Sequence, residues 1–315
     1  MAAVRRQRGA AAVRERIRAL WRKKAVRRGL LAAVVALVCL GLLWGVVRAI
    51  PGAPIDTTLT GRVPVVIDSD GGLDDLTALL LARQVDRLEV RGLTASYGAV
   101  SLPQAGRNLL AAAEWMGEDW PVALGAKSAL DGSLPAGVRT LGENGLYGAV
   151  LPPAARQADP RTASDFLYDL AVEEGGQLQL VCTGPLTNLA RALEEHPDLP
   201  QYIQRVVFSA GSVSLTENGA VAGVGNDANG PADPAALQKV LASGIPLVMI
   251  DASISLGDHG TQKDLWTLFA SQPRLFDALW SYWDEKGKRN FAAGTLPLDG
   301  IAAVSLLIDE TTLVL

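Results

Sequence analysis

Val65-Val66-Ile67-Asp68-Ser69-Asp70-Gly71-Gly72-Leu73-Asp74-Asp75 sets a run of β-branched apolar residues directly against four carboxylates and a glycine pair. Continuous apolar residues, without polar alternation, suit a strand buried on both faces. Gly71-Gly72 permits a sharp turn and close backbone approach, and the Leu- and Ala-rich stretch that follows suits a helix. Helix capping, in which an Asp satisfies free N–H groups and complements the dipole, accounts for one or two of these acids. Four together repel one another unless a cation or raised pKa values relieve them. With only oxygen donors nearby, a hard divalent cation, Ca²⁺ or Mg²⁺, is the natural counter-charge.

Outward from this segment, strand-like and helix-like runs alternate. Residues 63–67, 88–94, 121–124, 178–182, 205–209 and 246–250 read as strands. Residues 74–83, 103–115, 163–173, 185–195, 233–241 and 300–308 read as helices. This alternation predicts an α/β fold with a doubly wound, mainly parallel sheet. Ligands of such sheets sit at the C-terminal ends of the strands, so the polar residues there matter most.

The N-terminal portion is a different object. Residues 1–28 hold eleven Lys/Arg and one acid, Glu15, within a chain whose formal net charge is −4. Gly29 to Val47 contains no charge and is close to the roughly 20 residues that cross a bilayer core as a helix. The flanking basic residues predict a cytoplasmic N-terminus. The expected organisation is a basic cytoplasmic segment (1–28), a transmembrane signal-anchor helix (29–48), a linker (49–61) and a domain over 62–315. The chain would then be single-pass in the cell membrane, with residues 29–48 in lipid and the domain extracellular. Beside such a span the basic charge serves topology and anionic lipid, so no nucleic-acid partner is expected. Cys39 and Cys182 are the only cysteines; one lies in the expected span and the other in a strand, so they are not expected to pair.

Several chemistries are excluded. There is no Cys/His zinc spacing, no G-x-S-x-G elbow and no G-x-x-x-x-G-K-[ST] phosphate loop. Gly223-Val224-Gly225 is only a fragment of a dinucleotide fingerprint.

Asp68-Ser69-Asp70-Gly71-Gly72-Leu73-Asp74-Asp75 resembles the D-x-D-P-G-x-D-D signature of the inosine-uridine-preferring nucleoside hydrolases, with Gly71 where Pro is usual. Val181-Cys182-Thr183-Gly184-Pro185-Leu186-Thr187-Asn188 is similar to that family's T-G-P-L-T-N turn. Asp227-Ala228-Asn229 before Asp233-Pro234 resembles its E-F-N-x-x-x-D-P segment, and Leu298-Asp299 stands where His-Asp is usual. The resemblance implies a Ca²⁺-dependent hydrolase that splits ribonucleosides into ribose and free base. Asp70, Asp75, the Thr183 carbonyl and Asp299 would hold Ca²⁺, and Asp70 would take a proton from the attacking water. Asp74 and Asn229 would bind ribose hydroxyls, Asp227 would reach toward the sugar, and Asn218 would lie near its 5′ end. It also suggests a homo-oligomer.

The chain departs from the family pattern at Leu298, where the His associated with protonating the leaving base is lost. It departs again at Gly98-Ala99, where a ribose-binding Asn is lost, and at Leu141 to Leu146, where a loop lacks its His. It is also expected to be C-terminally short, since Leu315 follows Asp299 closely. These losses leave the metal ligands intact. They keep two alternatives open: a non-catalytic nucleoside- or ribose-binding protein on the same scaffold, and a hydrolase of a different N-glycoside.

Overall fold

The structure is a computed structural model that describes residues 61–134, 142–146, 150–210, 213–215, 221–224, 229–250 and 299–308. The chain enters the sheet at β1 (Val63–Ser69) and continues through α1 (Leu73–Gln84), β2 (Leu88–Ala95), α2 (Leu102–Met116) and β3 (Val122–Leu124). Then follow β4 (Asp159–Thr162), α3 (Ala163–Glu173), β5 (Leu178–Cys182), α4 (Thr187–Glu195) and β6 (Ile203–Ser209). After the strands β7 (Val213–Leu215) and β8 (Val221–Val224) come α5 (Asn229–Ala232), α6 (Pro234–Leu241), β9 (Leu247–Ile250) and α7 (Asp299–Ile308).

Seven of these strands form one sheet in the order β4-β3-β2-β1-β5-β6-β9, and every neighbouring pair in it is parallel. Strands β7 and β8 pair antiparallel as a separate ribbon. The expected strands and helices are all present, with boundaries shifted by a few residues. Strand β4 was not expected. Its Asp-Pro-Arg-Thr sequence has no apolar run, because an edge strand needs none and tolerates proline.

Side-chain alternation along the strands explains why helices cover both faces. Val65, Ile67, Val181 and Val207 pack into one apolar layer with Leu76 and Leu79 of α1, Leu109 of α2 and Val304 of α7. Val66, Leu180, Val206 and Phe208 point the other way, into a layer with Phe166 of α3, Leu189 of α4 and Leu237 of α6. Phe166 is fully buried, and a Cβ at Gly92 would come within 2.4 Å of its ring. Burial of one such ring contributes about 1.5–3 kcal/mol, and Gly92 leaves the space for it.

The sequence order reverses between β1 and β5: β2, β3 and β4 extend the sheet on one side, β6 and β9 on the other. A crevice at this switch point is where an open α/β sheet binds its ligand. The carboxylate-rich turn follows β1 and Thr183 follows β5, so the topology brings them together. Among the described residues no helix is long and apolar enough to cross a membrane; the expected span at residues 29–48 lies outside them.

Candidate active site

The turn between β1 and α1 is held in a specific shape. Gly71 has φ +71°, and a Cβ there would meet the Ala105 Cα at 2.7 Å. Its N–H donates to Ser69 Oγ at 3.0 Å, and its carbonyl accepts from Asn108 Nδ2 at 2.8 Å. Proline, usual at this place in the resembling signature, has neither the N–H nor access to that φ. Asn108 also donates to the Asn144 carbonyl at 2.9 Å, which ties residues 142–146 to the same turn.

Asp75 partly obeys the capping explanation: its Oδ2 accepts from the Gly72 N–H at 2.8 Å. Its Oδ1 is buried and no protein donor among the described residues reaches it. Asp70 is buried beside it. One Asp70 oxygen, Oδ2, accepts from the Ala99 N–H at 2.7 Å. Burial holds the Asp70 carboxyl well above the usual carboxylate range, the adjacent Asp75 pushes it further, and Asp74 adds to the effect. Position 99 thus still serves the site through its backbone. Gly98 is equally constrained, since a Cβ there would lie 2.0 Å from Asp70 Oδ2.

Asp68 lies beneath this pair, on the strand. Its Oδ1 accepts from the Thr94 hydroxyl and from Asn188 Nδ2. Burial pushes its pKa up to about 6 despite these two bonds, which pull it down. Its Oδ2 and the nearby Ser96 Oγ are buried without a hydrogen-bond partner among the described residues. Gly184 allows the turn after β5 to close on this group, since a Cβ there would come within 3.0 Å of both the Asp70 N and Ser96 Oγ.

Thr183 is buried, and its N–H donates to the Asp68 carbonyl at 2.8 Å. Its own carbonyl accepts from Asn229 Nδ2 at 2.6 Å. The structure therefore brings Asn229 to the crevice but aims its amide at the carbonyl expected to bind metal, rather than at open space. A carbonyl has two lone pairs, so one acceptor site on Thr183 remains. Asp74 is half-buried on the first turn of α1. Asp299 opens α7, and the next residue, Gly300, packs so closely that a Cβ would lie 3.4 Å from the Asp74 carbonyl and 3.5 Å from Thr183 Cγ2. The backbone at the start of α7 thus borders the crevice. Asn218, Asp227 and Leu298 lie outside the described residues.

Buried carboxylates facing each other, with orphaned oxygens around them and no cationic partner among the described residues, need either shared protons or a bound cation. The donors are all oxygen, so the set fits a hard divalent cation. A different group, Asp165, Glu195 and His196, also has ligand atoms close together, but it is largely on the surface at the far end of α4. There His196 stacks on Tyr168 at 4.1 Å and its Nε2 lies 3.1 Å from Asp165 Oδ1.

The family model for inosine-uridine preferring nucleoside hydrolases matches residues 65–314. The chain belongs to this nucleoside hydrolase family. It is 34% identical over 206 residues to uridine nucleosidase 1 of Arabidopsis thaliana, a match covering 65% of this chain and 60% of that protein. It is 36% identical over 194 residues to the pyrimidine-specific ribonucleoside hydrolase RihA of Klebsiella pneumoniae, covering 61% of each. The chain thus spans about 60% of the length of these curated relatives. Among solved structures, the purine-preferring ribonucleoside hydrolase from Gardnerella vaginalis superposes with a TM-score of 0.69 at 27% identity, covering 79% of this chain and 80% of that one.

In this member of the family, the sequence alone implies no role for Asn188, Thr94 or Ser96, which surround Asp68 and Asp70. Asn188 ends the T-G-P-L-T-N stretch, so its place was visible there. Its partners were not, because Asp68, Ala95 and Ala126 meet it only across three strands.

Proposed function

We propose that this protein hydrolyses the N-glycosidic bond of ribonucleosides, releasing ribose and free base with the aid of Ca²⁺. The observation that carries this reading is the buried Asp70–Asp75 pair at the sheet's switch point, where Asp75 Oδ1 and, beside the pair, Asp68 Oδ2 have no hydrogen-bond partner among the described residues. Asp70, Asp75, the Thr183 carbonyl and Asp299 would hold the ion. When bound, it would supply a positive charge that orients the attacking water and makes it more acidic.

The chain's own residues do the rest. Asp70, its Oδ2 anchored by the Ala99 N–H, would take the water's proton. Asp74, Asn229, Asp227 and Asn218 would position the ribose, fixing C1′ against the water. Cleavage passes through an oxocarbenium-like sugar, and the carboxylate cluster stabilises its positive charge. A ribonucleoside is the substrate class shared by the names of the relatives. The losses at Ala99 and Leu298 favour a second reading, a binding protein without turnover.

Purified full-length chain assayed for reducing sugar from a nucleoside panel, with and without Ca²⁺, tests both. Turnover abolished by chelation and by Asp70→Ala supports the reaction. Turnover that survives both overturns the mechanism, and calorimetric nucleoside binding without turnover supports the second reading. We further propose that residues 29–48 anchor the protein in the cell membrane with the domain outside and that the domain forms homo-oligomers. Protease accessibility on intact cells and light scattering of detergent-solubilised protein test these two points.

A further inference from the structure

Asn188 is the second residue of α4 and is almost completely buried. Its amide is engaged on three sides. Nδ2 donates to Asp68 Oδ1 at 2.7 Å and to the Ala95 carbonyl at 3.1 Å. Oδ1 accepts from the Ala126 N–H at 2.7 Å. These partners stand near the C-terminal ends of β1, β2 and β3, and α4 itself follows closely on Thr183 at the end of β5. One side chain therefore joins the ends of four strands. It is held tightly, since a Cβ at Gly125 would come within 2.1 Å of its Oδ1.

The consequence for the crevice runs through Asp68. Its side chain is fixed by Asn188 and Thr94, while its carbonyl accepts from the Thr183 N–H. Two residues on, Asp70 is fixed by the Ala99 N–H from the segment after β2, whose Ala95 carbonyl Asn188 also holds. We infer that Asn188 is a positioning residue: through Asp68 and Ala95 it sets the spacing of Asp70 and Thr183, and so the affinity of the crevice for its cation. This rests on the reading of that crevice as a Ca²⁺ site. Residues that orient metal ligands from behind typically change metal affinity about 10–100-fold when altered.

The test uses the full-length chain in detergent. Asn188→Asp keeps the shape and the acceptor for Ala126 but sets a carboxylate against Asp68 and the Ala95 carbonyl. Calorimetric titration with Ca²⁺ alone is expected to show binding weakened about 10–100-fold. Hydrogen exchange is expected to quicken at the Ala99 and Thr183 amides while α3 keeps its wild-type protection. The paired change Asp68→Asn with Asn188→Asp, which exchanges amide and carboxylate, is expected to regain part of the affinity. Wild-type Ca²⁺ affinity and local exchange in Asn188→Asp, with only a lower melting temperature, would overturn the inference; so would quickening as large in α3 as at the crevice. If Asn188→Asp does not fold, Thr94→Val removes a single hydroxyl from the same carboxylate, and wild-type affinity and exchange there would overturn the inference too. If the wild type binds no Ca²⁺ and hydrolyses no nucleoside, the proposed reaction fails, while the exchange comparison still decides the role of Asn188.

Discussion

The turn after β1 and the edge strand β4 both hold carboxylates, yet they are built in opposite ways. At β4, Asp159 accepts from the Arg161 guanidinium at 2.9 Å, and the same guanidinium reaches Asp169 at 3.0 Å while lying over the Phe166 ring. The Arg161 hydrogen bonds hold the Asp159 carboxyl below its ordinary range. After β1, no cationic side chain among the described residues partners Asp68, Asp70 or Asp75, and burial drives Asp68 and Asp70 upward. One region resolves its charge within the protein, on the surface. The other stores unresolved negative charge in the interior, which destabilises the fold unless something positive arrives. That contrast separates a structural ion pair from a site better than the number of acids does.

The sharpest way to break the comparison is Asp70→Asn. Loss of the proposed general base is expected to reduce kcat about 10²–10⁴-fold. The same change removes an uncompensated buried charge, so the chelated protein is expected to melt higher than wild type. Steady-state kinetics and calorimetry in chelator check the two halves, and a variant that is both inactive and less stable would mean that Asp70 is paired after all.

Gly98→Ala comes next. Its Cβ would lie 2.0 Å from Asp70 Oδ2, so the carboxylate must move. A displacement of this kind costs about 10²-fold in kcat/KM, while circular dichroism is expected to remain that of the wild type.

Ca²⁺ addition should stabilise the wild type and not Asp70→Asn. At one hundred times Kd the gain is about 2.7 kcal/mol, which is about 5–11 °C for a domain of this size. Differential scanning fluorimetry at several Ca²⁺ concentrations would show it.

The smallest effect belongs to β4. Arg161→Ala is expected to lower stability by less than about 1 kcal/mol, because the guanidinium is partly exposed and screened by solvent, and to leave kcat unchanged. The sign with pH follows from a lowered pKa. The pair's contribution is fully present above the ordinary Asp value of 3.8 and is lost as pH falls through the lower folded value. Denaturation of wild type and variant should therefore converge in acid and separate at neutral pH.

Much of the fold was legible because both signals that encode it are local. Largely apolar runs such as 178–182 and 205–209, bounded by turn residues, suit strands covered on both faces, and the helices between them have apolar faces and clean ends, as with Thr162 capping α3 and Asp233 capping α6. Strand β4 was hidden because its stability comes from pairing with β3 rather than from its own apolar surface. The carboxylate turn was equally legible, since four crowded acids after a buried strand have few benign explanations. Asn229, expected to bind a ribose hydroxyl, also donates to the Thr183 carbonyl, a contact that nothing local in the sequence could show.

The sequence by itself determined the alternation of strand and helix, the place of the acids at a strand end, and the glycines that let the turn close. Tertiary structure decided which acids are paired and which are left in need of a partner. Asp68, Thr94, Ala95, Ala126 and Asn188 are far apart along the chain and meet only when parallel strands align their ends. Charge is written residue by residue, but its compensation depends on distance and burial. Those exist only once the sheet has formed.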